Sequence, residues 1–148
     1  MGDRTSVTLT VLECQSEAVE KVFRGFCSKG LITEARVDYF FEEVNYGALR
    51  ALPELQKQGI AYDSAWARGS EYEPGTEYLR FTSEGVAVEK RIYQYSHNPD
   101  ISELMRFIDS PEELRSVILR KYEENKILPW DNQEEYGKRY QMLQLLLK

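Results

Sequence analysis

Strand-type alternation through the first two thirds of the chain and three capped helix starts in the last third predict an α+β fold. The expected architecture is one domain, residues 1–148, with a mixed or antiparallel sheet of about five strands in the order β-α-β-α-β-β-β. That sheet and its two helices occupy residues 1–95, and a three-helix C-terminal part occupies residues 96–148. A length of 148 residues is in the commonest range for one domain, and 42% hydrophobic with 30% charged residues excludes disordered and fibrous classes.

Ser6 to Leu12 sets Val7, Leu9 and Val11 against Thr8 and Thr10, the period-two pattern of a half-buried strand. Ser16 is placed to cap a helix with Val19, Val22, Phe23 and Phe26 at helical spacing; Lys29 and Gly30 supply a cation and a left-handed residue to end it. A second strand follows, about Glu34 to Val44, rich in aromatic and β-branched residues. Asn45-Tyr46-Gly47 breaks it, and the next helix starts near Pro53, since proline is tolerated in a first turn, and ends at Gly59.

Three more strands are expected, Ile60 to Arg68, Thr76 to Thr82 and Val86 to Tyr95. The Pro74-Gly75 loop and the Ser83-Glu84-Gly85 turn between them are short enough to imply antiparallel pairing. Asp100 with Glu103, Ser110 with Glu113 and Asp131 with Glu134 then mark three helix starts, Pro111 taking the favoured first position. Leu114, Val117, Ile118 and Tyr122 form the expected core stripe of the middle helix; Tyr136, Tyr140, Leu143 and Leu147 form that of the last. Gly25 and Gly137 fall inside helical patterns, where close approach of another backbone is a reason for glycine. Pro129-Trp130 reads as a packed corner between helices.

Charge is distributed unevenly. Of the net −6, residues 34–77 hold −5, with nine acids against four bases. The same band alternates acids with aromatics: Asp38-Tyr39-Phe40-Phe41-Glu42-Glu43, Tyr62-Asp63-Ser64-Ala65-Trp66 and Glu71-Tyr72-Glu73-Pro74-Gly75-Thr76-Glu77-Tyr78. Phe40 and Phe41 are assigned to the core, and strand alternation puts Asp38 and Glu42 on one face with Glu43 on the other. Nucleic-acid surfaces interleave aromatics with Lys and Arg, so this band repels DNA, RNA and anionic lipid and favours a basic protein surface. The expected partner-binding residues are Asp38, Glu42, Glu43, Tyr62, Trp66, Glu71, Tyr72, Glu73 and Glu77. Carboxylates compete with phosphate for Lys and Arg, and the aromatic residues supply desolvated anchors.

Catalytic signatures are sparse. His97 is the only histidine, with Cys14 and Cys27 distant from it in sequence, and no glycine-rich loop opens a helix to cradle a phosphate. The sequence therefore points to a protein without catalytic function, cofactor or metal. Two alternatives stay open: a small metal-dependent hydrolase with Asp38, Glu42, Asp63 or Glu77 as Mg²⁺ or Mn²⁺ ligands, and a small-ligand sensor with a pocket near Trp66.

No run approaches the roughly 18 apolar residues of a membrane span. Met1-Gly2-Asp3-Arg4 leads into a strand pattern rather than a signal peptide. A cytoplasmic location with reduced cysteines is expected. Met142-Leu143-Gln144-Leu145-Leu146-Leu147 is apolar over more than one helical face, so one face is free to serve a homodimer contact. In size, acidity and lack of a cofactor motif the chain resembles the small counter-defence and regulatory proteins of phages and plasmids. That resemblance covers no particular residue; it implies an inhibitor or regulator that occupies the basic groove of a nucleic-acid-binding protein.

Overall fold

β1 (Arg4–Leu12) is the strand around which the molecule is built, its buried residues Val7, Leu9 and Val11 alternating with half-exposed threonines. The computed structural model of the chain describes residues 2–32 and 34–148. After a short 3-10 turn, Glu13–Gln15, the described elements are α1 (Ser16–Val22), β2 (Ser28–Ile32), β3 (Arg36–Asn45), α2 (Leu52–Lys57), β4 (Tyr62–Trp66), β5 (Gly75–Phe81), β6 (Ala87–Tyr93), α3 (Ile101–Met105), α4 (Pro111–Asn125) and α5 (Gln133–Leu146). The strands form one antiparallel sheet of six in the order β2-β3-β1-β4-β5-β6. From β1 to β4 the elements follow the β-α-β-β-α-β order of a split βαβ unit, to which β5 and β6 add a hairpin.

The extra strand corrects the expected order to β-α-β-β-α-β-β-β. It occupies the segment assigned to the end of the first helix. α1 stops at Val22 because Phe23 and Phe26 are drawn onto β3, packing edge-on against Phe41 and Tyr39 at ring separations of 5.5 and 5.0 Å. Lys29 and Gly30 consequently pair with Tyr39 and Asp38 as part of β2 instead of terminating a helix. Gly25 lies outside α1, with open space around it.

Register divides the sheet into two unlike faces. Val7, Leu9 and Val11 lie level with Phe41, Tyr39 and Val37, then across β4 and β5 with Tyr62 and Leu79; α1 and α2 cover this face with Val19, Phe23, Leu52 and Leu55. The other face presents Thr8, Thr10, Asp38, Phe40, Asp63, Ala65, Thr76, Tyr78, Lys90 and Ile92, all half-exposed. Phe40 is thus on the face opposite Phe41 and outside the core. Between Phe41 and Val44 the register slips by one residue against Ser6, a β-bulge that holds Glu43 at φ 54°.

Polar clamps, more than apolar burial, fasten the C-terminal segment. Arg80, 3% exposed, donates to the carbonyls of Tyr62, Leu79 and Leu128 at 3.0 Å each, meets Asp63 at 2.7 Å, and lies 3.8 Å from the centre of the Trp130 ring. Trp130 is therefore a packed corner. Gln133 substitutes for a neighbouring strand at the end of β5: the Phe81 N–H donates to Oε1 at 2.7 Å, and Nε2 donates to the Phe81 carbonyl at 2.9 Å. Gly137 rests on Gly59, which has φ +65°, so closely that a methyl on either would overlap the other's backbone. The close backbone approach read from Gly137 is this contact.

The helix starts differ in how they are made. Asp100 accepts a hydrogen bond from Ser102 N–H at 3.3 Å, as a cap should. Ser110 is the N-cap of α4 but makes no capping hydrogen bond, leaving Pro111 to shape the first turn. α5 is preceded by Asn132 in the left-handed region at φ 60°, so Asp131 is not its cap. The expected core stripe of α4 is not buried; no residue of that helix is, and Ile118 and Tyr122 are exposed. In α5, Tyr136 and Tyr140 pack against the core, with Tyr140 at 5.0 Å from Phe81, whereas Leu143 and Leu147 are exposed.

Candidate functional site

The acidic residues separate into those the fold consumes and those it presents. Glu73 belongs to the first group: its carboxylate accepts from the Tyr95 and Ser96 N–H groups at 2.8 and 3.0 Å and from the Ser96 hydroxyl. Hydrogen bonding by the Ser96 side chain, reinforced by these amides, lowers its pKa. Its own carbonyl accepts from Trp66 Nε1 at 2.9 Å, so one residue ties the loop after β4 to the turn after β6. Glu77 pairs with Arg91 at 2.8 Å on the helix-covered face and accepts from the Tyr62 hydroxyl at 3.5 Å. Tyr62 is 2% exposed, and burial pushes its phenol pKa well up. It offers no surface to a partner.

Asp3, which no motif singled out, organises the loop between β4 and β5. Its Oδ2 accepts from the Ser70 and Glu71 N–H groups at 2.5 and 3.3 Å, and hydrogen bonding from the Ser70 side chain and these amides lowers its pKa. Gly69 N–H closes the loop on the Tyr72 carbonyl at 3.2 Å, and the Tyr72 ring lies against Gly69 and 6.4 Å from Tyr46. The Tyr72 ring is thereby a wall of the loop, while Glu71 stays exposed.

On the half-exposed face, Thr10 Oγ1 donates to Asp38 at 2.5 Å, and Asp63 sits level with Thr10 in the neighbouring strand. Burial raises the Asp63 pKa against the pull of Arg80, and the same desolvation lowers that of Arg80. Their 2.7 Å approach is an ion pair of two groups removed from water. Glu42 is exposed where β3 bulges, and Glu43 beside it pairs with Arg4 at 3.0 Å. A groove of about 340 Å³ opens at the far end of this face, lined by Ala65, Trp66, Thr76, Tyr78, Ile92 and Asn98.

Of the nine residues singled out by sequence, Asp38 and Glu42 share the half-exposed face, Trp66 rims the groove, and Glu71 and Tyr72 lie in the adjoining loop. Tyr62 and Glu77 are on the opposite face, Glu73 is engaged in holding turns together, and Glu43 is paired at the bulge. Phe40, Tyr78, Ile92 and Thr8 complete the surface. Their signal was the alternation itself, which puts Asp38, Phe40 and Glu42 on one side.

Of the two alternative chemistries, the small-ligand one has a feature to draw on in the groove beside Trp66, whereas the four carboxylates named for the metal one do not share a face. Among the described residues no group of three or more His, Cys, Asp or Glu is placed to hold a metal ion. Glu77 is separated from Asp38, Glu42 and Asp63 by the thickness of the sheet. His97 accepts from the Tyr93 N–H through Nδ1 at 3.0 Å and stacks on that ring beyond β6. Cys27 precedes β2 at the opposite edge, and the Cys14 thiol donates to Glu134 at 3.3 Å. Trp66 is held by its bond to Glu73 and by packing against Gly75 and Gly47.

Comparison of the chain with protein-family models, curated proteins and solved structures gave no match. Among the described residues no helix is long and apolar enough to cross a membrane.

Proposed function

We propose that this protein is a non-enzymatic interaction module of the cytoplasm that inhibits or regulates a basic, nucleic-acid-binding protein by docking on it through the half-exposed face of its sheet. One observation carries the reading: at its β3 side that face sets Asp38 beside Phe40 with Glu42 exposed next along the strand, and Glu71 is exposed in the loop after β4, while the 126–130 segment packs further along on Arg80 and Lys90. An apolar centre with carboxylates around it suits a surface of Lys and Arg side chains, which the acids engage by charge-assisted hydrogen bonds while the rings exclude water. Residues 34–77 hold −5 of the net −6, so the field steers basic partners in and repels free nucleic acid.

The test is affinity capture from a native-cell lysate at low and high ionic strength, using the wild type and a Glu42→Lys, Glu71→Lys double variant. Both positions are exposed, so the variant keeps the fold. The expected outcome is a basic protein retained at low salt, released at high salt, and bound about tenfold or more weakly by the variant. Retention that is indifferent to both salt and the charge reversals would sink the proposal.

A further inference from the structure

Past Tyr140 every residue of α5 is exposed, yet the helix continues to Leu146. Tyr136, Gly137 and Tyr140 define the side of α5 that faces the rest of the fold. At 100° per residue, Leu145, Met142, Leu146, Leu143 and Leu147 follow one another round one continuous arc of about 200°, from the side turned away from the fold to the side of Tyr136. Among the described residues nothing buries these side chains. Exposure of the five runs from 39% at Leu143 to 81% at Leu147, and Gln141, Gln144 and Lys148 occupy the remaining arc.

We infer that this end of α5 is a twofold interface with a second copy of the chain. Area supports it: an apolar side chain of this size carries about 60–120 Å², so the five offer roughly 200–400 Å². An interface at the small end of the stable range buries about 600 Å² per partner, a little over half of it apolar, which this end can supply. Charge supports it too. From Tyr140 to Leu147 there is no charged residue to select a charged partner. The neighbouring charges are already neutralised within the helix, Glu134 by Lys138 at 2.7 Å and Glu135 by Arg139 at 2.8 Å.

Position completes the argument. α5 passes the turn after β5, where Arg139 donates to the Ser83 carbonyl and Gly85 abuts Tyr140. Glu42, Glu43, Glu71 and Glu73 lie at the other end of the strands, where Gly75 is level with Trp66 and Trp66 with Val7. Two copies joined through α5 therefore meet at nearly neutral ends and hold those acids apart. An isologous contact needs only a self-complementary patch, and an uncharged leucine-rich arc is one.

Sedimentation equilibrium of the chain over the micromolar range tests this, read against a Met142→Lys, Leu146→Lys double variant whose helix content is checked by circular dichroism. The wild type is expected at twice the 17.3 kDa chain mass, with the double variant dissociating at about 100-fold higher concentration or more. A Glu42→Lys, Glu71→Lys variant is expected to dimerise as the wild type does, which separates this inference from the proposed function. If the lysines reduce helix content, Leu145→Gln is the second variant, with a weaker dimer expected. A wild type that stays monomeric, a dimer that both apolar-face variants leave intact, or a monomer that binds neutral phosphatidylcholine vesicles through this face would each overturn the inference.

Discussion

Among the described residues, every buried apolar side chain lies between Val7 and Phe81, whereas from Ile101 to Leu147 most large apolar side chains face outward. The two regions are held by different physics. The sheet with α1 and α2 buries side chains on one continuous face, and many small contributions share the load. The C-terminal helices are fastened at a few points: Arg80 on the Leu128 carbonyl, Gln133 on the Phe81 backbone, Gly137 on Gly59, and Lys90, which donates to the Lys126 and Glu123 carbonyls at the end of α4 at 2.7 and 3.3 Å. A region held by discrete clamps should be sensitive at the clamps and tolerant between them.

Arg80→Met should produce the largest effect. It leaves the Asp63 carboxylate desolvated without its partner and frees three backbone carbonyls, so a loss of about 3–5 kcal/mol in urea denaturation is expected. A loss below about 1 kcal/mol would show that the clamp is not what joins the regions. Gly137→Ala comes next, at about 3 kcal/mol, since the backbones at Gly137 and Gly59 must separate to admit a methyl. An unchanged denaturation midpoint would break the picture of α5 seated on α2's end.

A local effect should follow acidification. The Glu73 pKa is held below its ordinary 4.5, so its grip on Tyr95 and Ser96 is complete above that value and is lost as the pH falls through the lowered one. The amide resonances of Tyr95 and Ser96 should titrate there, and Glu73→Gln should abolish the transition. Resonances that move only above pH 4.5 would contradict the assignment. The smallest effect belongs to the outward side of α4: Ile118→Ser and Leu119→Ser in dilute protein should each alter stability by less than about 0.5 kcal/mol. Losses beyond about 1.5 kcal/mol would mean that α4 is supported by the sheet after all.

The elements legible in the sequence are those whose signals are local. Threonine alternation placed β1, Pro53 and Gly59 bracketed α2, and Asp100 marked the start of α3. β2 was hidden because Lys29 and Gly30 resemble a helix ending, and only pairing with β3 overrides that preference; the left-handed Glu34 and Ala35 that follow, at φ 64° and 55°, carry no glycine to announce a hairpin. The α4 stripe misled because helical periodicity reports which side is apolar and not whether anything covers it. At the site, alternation found Asp38 and Glu42 on one face, but acceptors of backbone N–H groups, such as Glu73 and Asp3, look in sequence like any exposed acid.

Gln133 has a consequence in time. The backbone of Phe81 is completed by a side chain that lies 52 residues further along the chain. At the pace of synthesis, about 5–20 residues per second, roughly 3–10 seconds separate the making of that edge from the arrival of the amide that closes it. During that interval the nascent sheet carries an unpaired N–H and carbonyl beside β4, and any passing extended segment can engage them. Folding of this chain is therefore exposed to mispairing at one known place, for one known interval, until its last helix is made.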